Sequence, residues 1–90
     1  VGPTGIDQVL ALVHPDDLAG CRAAFQRAID DRTGYLIRYR VVRPDDGRVV
    51  WIEERGHAVV DRPGGGVRLF GVSLDVTARV RAEEQLARVT

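Results

Sequence analysis

The sequence predicts an α+β fold, in which an antiparallel meander of three long strands has helices before it on one face and a further helix after it. Two observations support this prediction. Between residues 15 and 29 the apolar side chains recur at spacings of three and four, which is the period of an amphipathic helix. From residue 34 the period changes to two and continues through three segments separated by turn-forming residues.

The composition limits the classes of protein. The 90 residues suffice for one small domain, and 13 basic residues, all of them arginine, balance 13 acidic ones. A net charge of zero argues against a dedicated nucleic-acid binder. No apolar run could span a bilayer, and the single cysteine, Cys21, fits a reducing compartment, so we expect a cytoplasmic protein. Because methionine is absent, we expect Val1 to lie within a longer protein or to follow processing.

Helices are predicted before the strands. Residues 1–5, VGPTG, have turn composition and should form a ragged end, and residues 6–13 suit one or two helical turns. A longer helix should begin at HPDD, because Pro15 suits the first helical position and Asp16 and Asp17 favour the positive end of the helix dipole. The apolar stripe of this helix consists of Leu18, Cys21, Phe25, Ala28 and Ile29.

The three strands alternate between two faces. In the first strand Tyr35, Ile37, Tyr39 and Val41 share one face, and the turn sequence PDDG leads into the second strand. A second turn, DRPGGG, leads into VRLFGVSLDV. Thr77 is placed to cap the helix predicted for ARVRAEEQLARV.

The order of these segments resembles a PAS domain over residues 6 to 86. The most specific segments are LVHPDD, the hairpin YR…RPDDGRVVW, and FGVSLDVTARVRAEEQL, which is similar to the PAC segment with DVT in place of Asp-Ile-Thr. The resemblance implies a partial PAS-like domain over residues 6–77 and a C-terminal signalling helix over residues 78–90.

One departure from the family is large, because the first two strands of the PAS fold have no counterpart here. In the family's strand order the last strand is central, so VRLFGVSLDV would become an exposed edge that invites pairing. We therefore expect a homodimer, formed through this edge or the outer sheet face and the C-terminal helix. A rearranged monomer is the alternative.

The resemblance places a ligand pocket between the concave sheet face and the longer helix. Glu54 is an acid on this otherwise apolar face, so it should pair with Arg38, Arg40 or Arg55, meet water, or contact a polar ligand. The candidates for the pocket are Phe25, Ile52, Glu54, Gly56, Leu69, Gly71 and Ser73.

The sequence identifies no cofactor. Ser73 matches the position where light-oxygen-voltage members carry a glutamine against flavin, but their flavin-linked cysteine motif is absent, and Cys21 on the helix stripe should be a buried thiol. His14 precedes a helix, His57 falls on the outer face, and neither has metal-ligand spacing. We therefore expect neither flavin nor haem, and no metal.

No catalytic arrangement is evident either. The paired acids lie in turns or at helix ends, and no Ser-His-Asp or Cys-His set would come together. The chain should therefore not be an enzyme, and a catalytic output such as a histidine kinase would lie outside it.

The outer sheet face and the last helix suggest an interaction site. A strand that is apolar on both faces, as the last one is up to Val76, needs cover on both sides. The interface candidates are Trp51, Val59, Phe70, Val72, Leu74 and Leu86. In the last helix, Ala82, Leu86 and Val89 form a coiled-coil-like seam, and the alternative is a helix that folds back on Trp51 and Phe70.

These features together predict a sensory and dimerisation module of a larger signal-transduction protein, such as a two-component system. Changes in the sheet would pass to the helix through Asp75, Val76, Thr77 and Arg79, with Asp75 anchored by a hydrogen bond or by Arg79 or Arg81. A protein-interaction module with no small-molecule ligand is the alternative.

Overall fold

The computed structural model describes residues 9–60 and 64–89. The ragged end expected at residues 1–5, the start of the short helix at residues 6–8 and part of the DRPGGG turn lie outside the described residues. The helices are α1 (Pro15–Asp31) and α2 (Thr77–Val89), and the strands are β1 (Gly34–Val42), β2 (Val49–Val60) and β3 (Val67–Asp75). The predicted α+β class and its three-stranded meander are confirmed.

The helix α1 has well-defined ends. Pro15 occupies its first turn, and Nδ1 of His14, the residue before it, accepts a hydrogen bond from the backbone N–H of Asp16 at 3.1 Å. At the other end Arg32 adopts the left-handed conformation with φ 53°, and its N–H donates to the carbonyl of Ala28. These two caps fix where the predicted amphipathic helix starts and stops.

The sheet has the order β1-β2-β3, and both pairs are antiparallel. The register aligns rows of residues across the three strands, and in one such row Tyr35 is opposite Gly56, which is opposite Gly71. The edge of β1 that faces away from β2 is covered near the C-terminal end of the strand, because Val13 forms a bridge with Val41. In the described part of the chain β3 pairs only with β2, so its other edge is open.

The core lies between α1 and the face of the sheet that carries Tyr39. Its buried members are Leu10, Val13, Cys21, Phe25 and Tyr39. Burial raises the pKa of the Cys21 thiol to about 11, so this thiol is neutral at physiological pH. The predicted stripe of α1 therefore faces the sheet, and Cys21 is part of the packing.

The helix α2 folds back against the outer face of the sheet over its first turns. Val80 is buried, and a carboxylate oxygen of Glu83 lies 3.2 Å from the guanidinium of Arg38 on β1. Beyond that ion pair the helix is exposed, with Leu86 70% and Val89 78% accessible. The helix therefore covers the sheet only near its start.

Candidate functional site

Glu54 lies on the inner face of β2 and is held by two tyrosines of β1. The hydroxyl of Tyr35 donates to its Oε2 at 2.5 Å, and the hydroxyl of Tyr39 donates to its Oε1 at 2.8 Å. Both tyrosines are on the same face as Glu54 because each is an even number of residues from Ile37, which pairs with Glu54. A partly buried carboxylate is thus compensated by neutral donors.

Of the alternatives that the sequence left open for Glu54, the one with an arginine partner is wrong, because tyrosine hydroxyls donate to both of its carboxylate oxygens. Arg38 bonds to Glu83 and Arg40 bonds to Asp17, and both arginines alternate with the inward-facing tyrosines of β1. Their side chains therefore leave the sheet on the outer face. The sequence predicted that both tyrosines lie on the inner face, but it did not assign them to the site. The signal that could have identified them is the acid on the same face, because a partly buried carboxylate needs hydrogen-bond donors.

Both tyrosines stay protonated at physiological pH. Burial, reinforced by the hydrogen bond to Glu54 and by its negative charge, raises the pKa of Tyr35 and of Tyr39 well above the ordinary value of 10.0. Each hydroxyl is therefore a stable donor to the carboxylate of Glu54.

The Tyr35 side chain fills the space between α1 and the sheet. A Cβ at Gly56 would lie 2.7 Å from Cζ of Tyr35, and a Cβ at Gly71 would lie 2.7 Å from its hydroxyl oxygen. On the helix side the Phe25 ring meets the Tyr35 ring edge-on, with centroids 5.4 Å apart and an interplanar angle of 87°. The Tyr35 ring is thus sandwiched between Phe25 and a floor of two glycines.

The other pocket candidates separate into two groups. Ile52 and Leu69 are partly buried and pack against the core cluster. Gly71 and Ser73 on β3 are exposed, and Ser73 is opposite Glu54 in the register. The inner face is therefore closed on the β1 side, whereas on the β3 side it is open to solvent.

A second cluster of polar groups joins the sheet to α2. Oδ1 of Asp75 accepts hydrogen bonds from the backbone N–H of Thr77 at 2.9 Å and from its hydroxyl at 2.6 Å. The Thr77 hydroxyl in turn accepts a bond from the backbone N–H of Trp51 at 2.9 Å. The carbonyl of Trp51 accepts from the N–H of Val76, also at 2.9 Å. The two hydrogen bonds from Thr77, from its hydroxyl and from its backbone N–H, hold the pKa of Asp75 below its ordinary value.

Two details at this junction differ from the sequence predictions. Val76 is 4% exposed and does not extend the apolar outer face, because β3 ends at Asp75 and the alternation stops there. Thr77 is the first residue of α2 rather than its cap, and the carbonyl of Val76 accepts the first helical bond, from Val80. Arg79 is exposed on the first turn, outside this group of hydrogen bonds.

The outer face of β3 is apolar and accessible. Phe70 is 50% exposed, Val72 75% and Leu74 60%, whereas Trp51 and Val59 on β2 are only partly exposed. Leu36 on β1, which is not among the predicted interface candidates, is 55% exposed. It belongs to the same row as Val72, with Arg55 between them.

Residues 9–60 and 64–89 contain neither a metal-binding cluster nor a membrane-spanning helix. Within these residues no group of three or more His, Cys, Asp or Glu side chains could hold a metal ion. The same residues form no helix that is long and apolar enough to cross a membrane.

Comparisons with known proteins identify the family to which this fold belongs. Residues 3–73 match the PAS fold family, so the chain belongs to this family and the resemblance is confirmed. The chain is 32% identical over 76 residues to the uncharacterized protein y4lL of Sinorhizobium fredii (strain NBRC 101917 / NGR234), an alignment that spans 84% of the chain and 9% of that protein.

Two solved structures are similar. A sensory box histidine kinase/response regulator from Burkholderia thailandensis E264 matches with a TM-score of 0.74 and 36% identity, over 87% of this chain and 59% of that one. The PAS domain of a GGDEF family protein from Chromobacterium violaceum ATCC 12472 is also 36% identical, over 79% of this chain and 65% of that one, with a TM-score of 0.42. The structural comparison rests on the first of these.

Proposed function

We propose that this PAS domain is a sensory and dimerisation module of a larger cytoplasmic signal-transduction protein, and that it passes changes in the sheet to α2. The observation that carries the proposal is the bonding of Trp51 at the end of the sheet. Its N–H donates to the hydroxyl of Thr77 and its carbonyl accepts from the N–H of Val76. By analogy with the Burkholderia relative, the output would be a histidine kinase or response regulator.

The junction is suited to transmission because no flexible loop separates the strand from the helix. β3 ends at Asp75 and α2 begins at Thr77, so one residue separates them. Both backbone groups of Trp51 are bonded to the residues at this boundary, so a shift of β2 displaces the first turn of α2. A switch also needs a contact that differs between two states. The exposed ion pair between Arg38 and Glu83 is a contact that can break without disturbing the core.

We propose a second copy of the chain as the dimerisation partner. The support is the open edge of β3, together with the exposed apolar side chains that continue from it across the outer face. Pairing of this edge with a second copy would satisfy the backbone groups that β3 leaves unpaired among the described residues, and packing of the two outer faces against each other would cover Phe70, Val72 and Leu74.

Sedimentation at micromolar concentration tests the dimer. We expect a dimer for the unaltered chain and a monomer for Val72→Glu, because a carboxylate would have to be buried in the interface. The matched control is Ala23→Glu, which introduces the same charge at an exposed position of α1 and should leave the dimer intact. A monomeric unaltered chain would contradict the dimerisation part of the proposal.

Substitution of Asp75 tests the transmission. In the larger protein, Asp75→Ala should change basal output more than it changes the free energy of unfolding, because it removes the acceptor for Thr77 and leaves the core intact. Asp75→Asn retains one acceptor oxygen and should have the smaller effect. Output that is unchanged in Asp75→Ala would show that signals do not travel through this junction.

A protein-interaction module with no ligand is the second candidate. It is favoured by one observation, which is that the Tyr35 ring fills the space between α1 and the sheet. A ligand between α1 and the sheet would have to displace the Tyr35 ring, whereas an interaction module without a ligand would keep the ring in place.

A further inference from the structure

We propose that the edge of β1 that faces away from β2 binds an extended peptide segment of another protein, which adds a strand to the sheet. The stretch concerned is the one at Leu36 and Arg38, and the segment that suits it has an apolar residue two positions from a basic one. This edge lies across the sheet from the open edge of β3, because β2 separates the two strands. The proposal therefore goes beyond the sensory and dimerisation function and does not depend on it.

The hydrogen bonds of Arg40 show which backbone groups of β1 face this edge. Its N–H donates to the carboxylate of Asp17 at 2.8 Å, and its carbonyl accepts from the N–H of His14, also at 2.8 Å. Both partners lie outside the sheet, so the backbone groups of Arg40 point away from β2. Because this direction alternates from one residue to the next along a strand, the backbone groups of Leu36 and Arg38 also point away from β2.

The edge is open at these two residues. Leu36 and Arg38 are exposed, and within residues 9–60 and 64–89 no hydrogen bond is formed by the backbone N–H or carbonyl of either one. A row of unpaired N–H and carbonyl groups at the edge of a sheet is a template for another strand. Peptides bind in this way when they extend a sheet, since the main-chain hydrogen bonds supply affinity and the alternate side chains supply specificity.

The same edge already pairs with a short extended segment of the chain. Val13 forms an antiparallel bridge with Val41, and the N–H of Val42 donates to the carbonyl of Leu12 at 3.0 Å. The chain then leaves the edge, because α1 begins at Pro15. An added segment would continue this row of pairing along β1. It would therefore lie beside the sheet and not between α1 and its inner face.

A cleft next to Arg38 has room for a side chain of the added segment. It has a volume of about 330 Å³ and is lined by Asp16, Asp17 and Gly20 of α1, the buried Cys21, and Ile37 and Arg38 of β1. The helix wall is low at Gly20, because a Cβ there would have no atom within 4 Å. Since alternate residues of a strand point to the same side, two residues of the segment can face this cleft. An apolar one would contact Cys21 and Ile37.

The charges around the cleft favour a basic residue at the second of these positions. Asp16 lines the cleft, and its side chain is 76% exposed. The two arginines of this region are already paired, Arg40 with Asp17 at 2.8 Å and Arg38 with Glu83 at 3.2 Å. A cation on the incoming segment would thus meet an exposed carboxylate, whereas an acid would be repelled.

Titration of the chain with the peptide acetyl-Thr-Val-Thr-Arg-Thr-amide, followed by amide chemical shifts and hydrogen exchange, tests the proposal. Its valine and arginine are two positions apart and so share one side of a strand. We expect a dissociation constant of about 1 mM for a peptide this short, with shifts centred on Leu36 and Arg38. Exchange of these two amides should become slower, because the added strand supplies their acceptors.

Two altered peptides separate the contributions of the backbone and the charge. The same peptide with N-methyl groups on its central amides cannot donate to the carbonyls of β1, so it should bind at least about tenfold more weakly. A peptide with glutamate in place of arginine should also bind about tenfold more weakly at low salt, and this difference should shrink as the salt concentration rises.

A substitution in the helix wall tests the cleft. Gly20→Leu places a side chain in open space, so the chain should fold as before while peptide binding weakens at least about tenfold. The matched control is Ala19→Leu, which adds the same side chain at the neighbouring exposed position outside the cleft lining and should leave binding unchanged. Urea denaturation of both variants shows that they are folded.

Three results would overturn the proposal. The first is the absence of binding to the unaltered chain at 10-fold the expected dissociation constant. The second is binding whose shifts map to β3, which would assign the peptide to the other edge of the sheet. The third is equal binding to Gly20→Leu and Ala19→Leu. None of these bears on the transmission test at Asp75 or on the dimer test at Val72, so failure of this proposal can be told apart from failure of the proposed function.

Discussion

The side-chain hydroxyl of Thr77 accepts a hydrogen bond from the backbone N–H of Trp51 at 2.9 Å, across a sequence separation of 26 residues. The register between β2 and β3 ends with Ile52 opposite Asp75, so the first residue of α2 satisfies the next free amide of β2. The hydrogen-bond ladder of the sheet therefore continues into the helix. In this PAS domain the sheet and the C-terminal helix are bonded to each other directly.

The glycine floor of the inner face is the basis of the first prediction. Gly56→Ala should lower the free energy of unfolding by about 1–3 kcal/mol, since the new Cβ would lie 2.2 Å from the backbone carbonyl oxygen of Phe70. Urea denaturation measures the change. The control is Gly20→Ala in α1, which has open space around it and should raise the stability by up to about 1 kcal/mol. Equal stability of Gly56→Ala and the unaltered chain would contradict the close approach of these strands.

The acid limb of the stability curve should depend on Asp17. Its carboxylate accepts from the backbone N–H of Arg40 at 2.8 Å and from the guanidinium of the same residue at 2.8 and 3.0 Å. The hydrogen bonds from Arg40 hold the pKa of Asp17 below its ordinary value of 3.8. Since the folded state then binds fewer protons than the unfolded state, the stabilisation is complete above that value and is lost as the pH falls through the lowered pKa.

Unfolding followed between about pH 2 and pH 6 measures this effect. The stability difference between the unaltered chain and Asp17→Asn should be constant in the upper part of that range and should shrink below pH 3.8, the ordinary pKa of the carboxyl. Arg40→Gln removes the guanidinium hydrogen bonds, which are the largest cause of the lowered pKa, but keeps the backbone bond, so it should flatten the acid limb in part. A difference that persists undiminished at the lowest pH would refute the assignment.

The ion pair between Glu83 and Arg38 should matter to α2 and hardly at all to global stability. The two side chains are 54% and 36% exposed, so water screens a pair that is worth at most about 1 kcal/mol. Glu83→Gln should therefore leave the free energy of unfolding within about 0.5 kcal/mol of its original value but increase hydrogen exchange of the α2 amides. Glu84→Gln, on the next residue of the helix, should do neither. Exchange in α2 that is unaffected by Glu83→Gln would show that this pair does not hold the helix.

Periodicity predicted the helices and strands of this fold because burial of one face imposes it directly on the sequence. The stripe of α1 and the inward position of Glu54 follow from spacings of three or four and of two. The predicted alternation included Val76, one residue beyond the end of β3, because nothing in the local pattern marks where a strand stops pairing. The open edge of β3 could be predicted only through the strand order of the PAS family.

The partners of the polar groups could not be predicted in the same way. Tyr35 and Tyr39 were placed on the correct face, but a tyrosine in a core position is more often packing than a donor to a particular carboxylate. The path of α2 across the outer face depends on the Thr77 hydroxyl reaching Trp51 and on Glu83 reaching Arg38. These contacts join distant segments, and no periodicity encodes them.

The central claim, that the sheet and α2 are coupled through Thr77, is tested most directly by hydrogen exchange at the amide of Trp51 and in the first turn of α2. Thr77→Val removes the acceptor for Trp51, so exchange should become faster at both places, while amides of the hairpin around Tyr39 keep their protection. Thr77→Ser retains the hydroxyl and should behave as the unaltered chain. Fast exchange at Trp51 alone, with α2 unchanged in Thr77→Val, would show that the helix does not respond to the sheet.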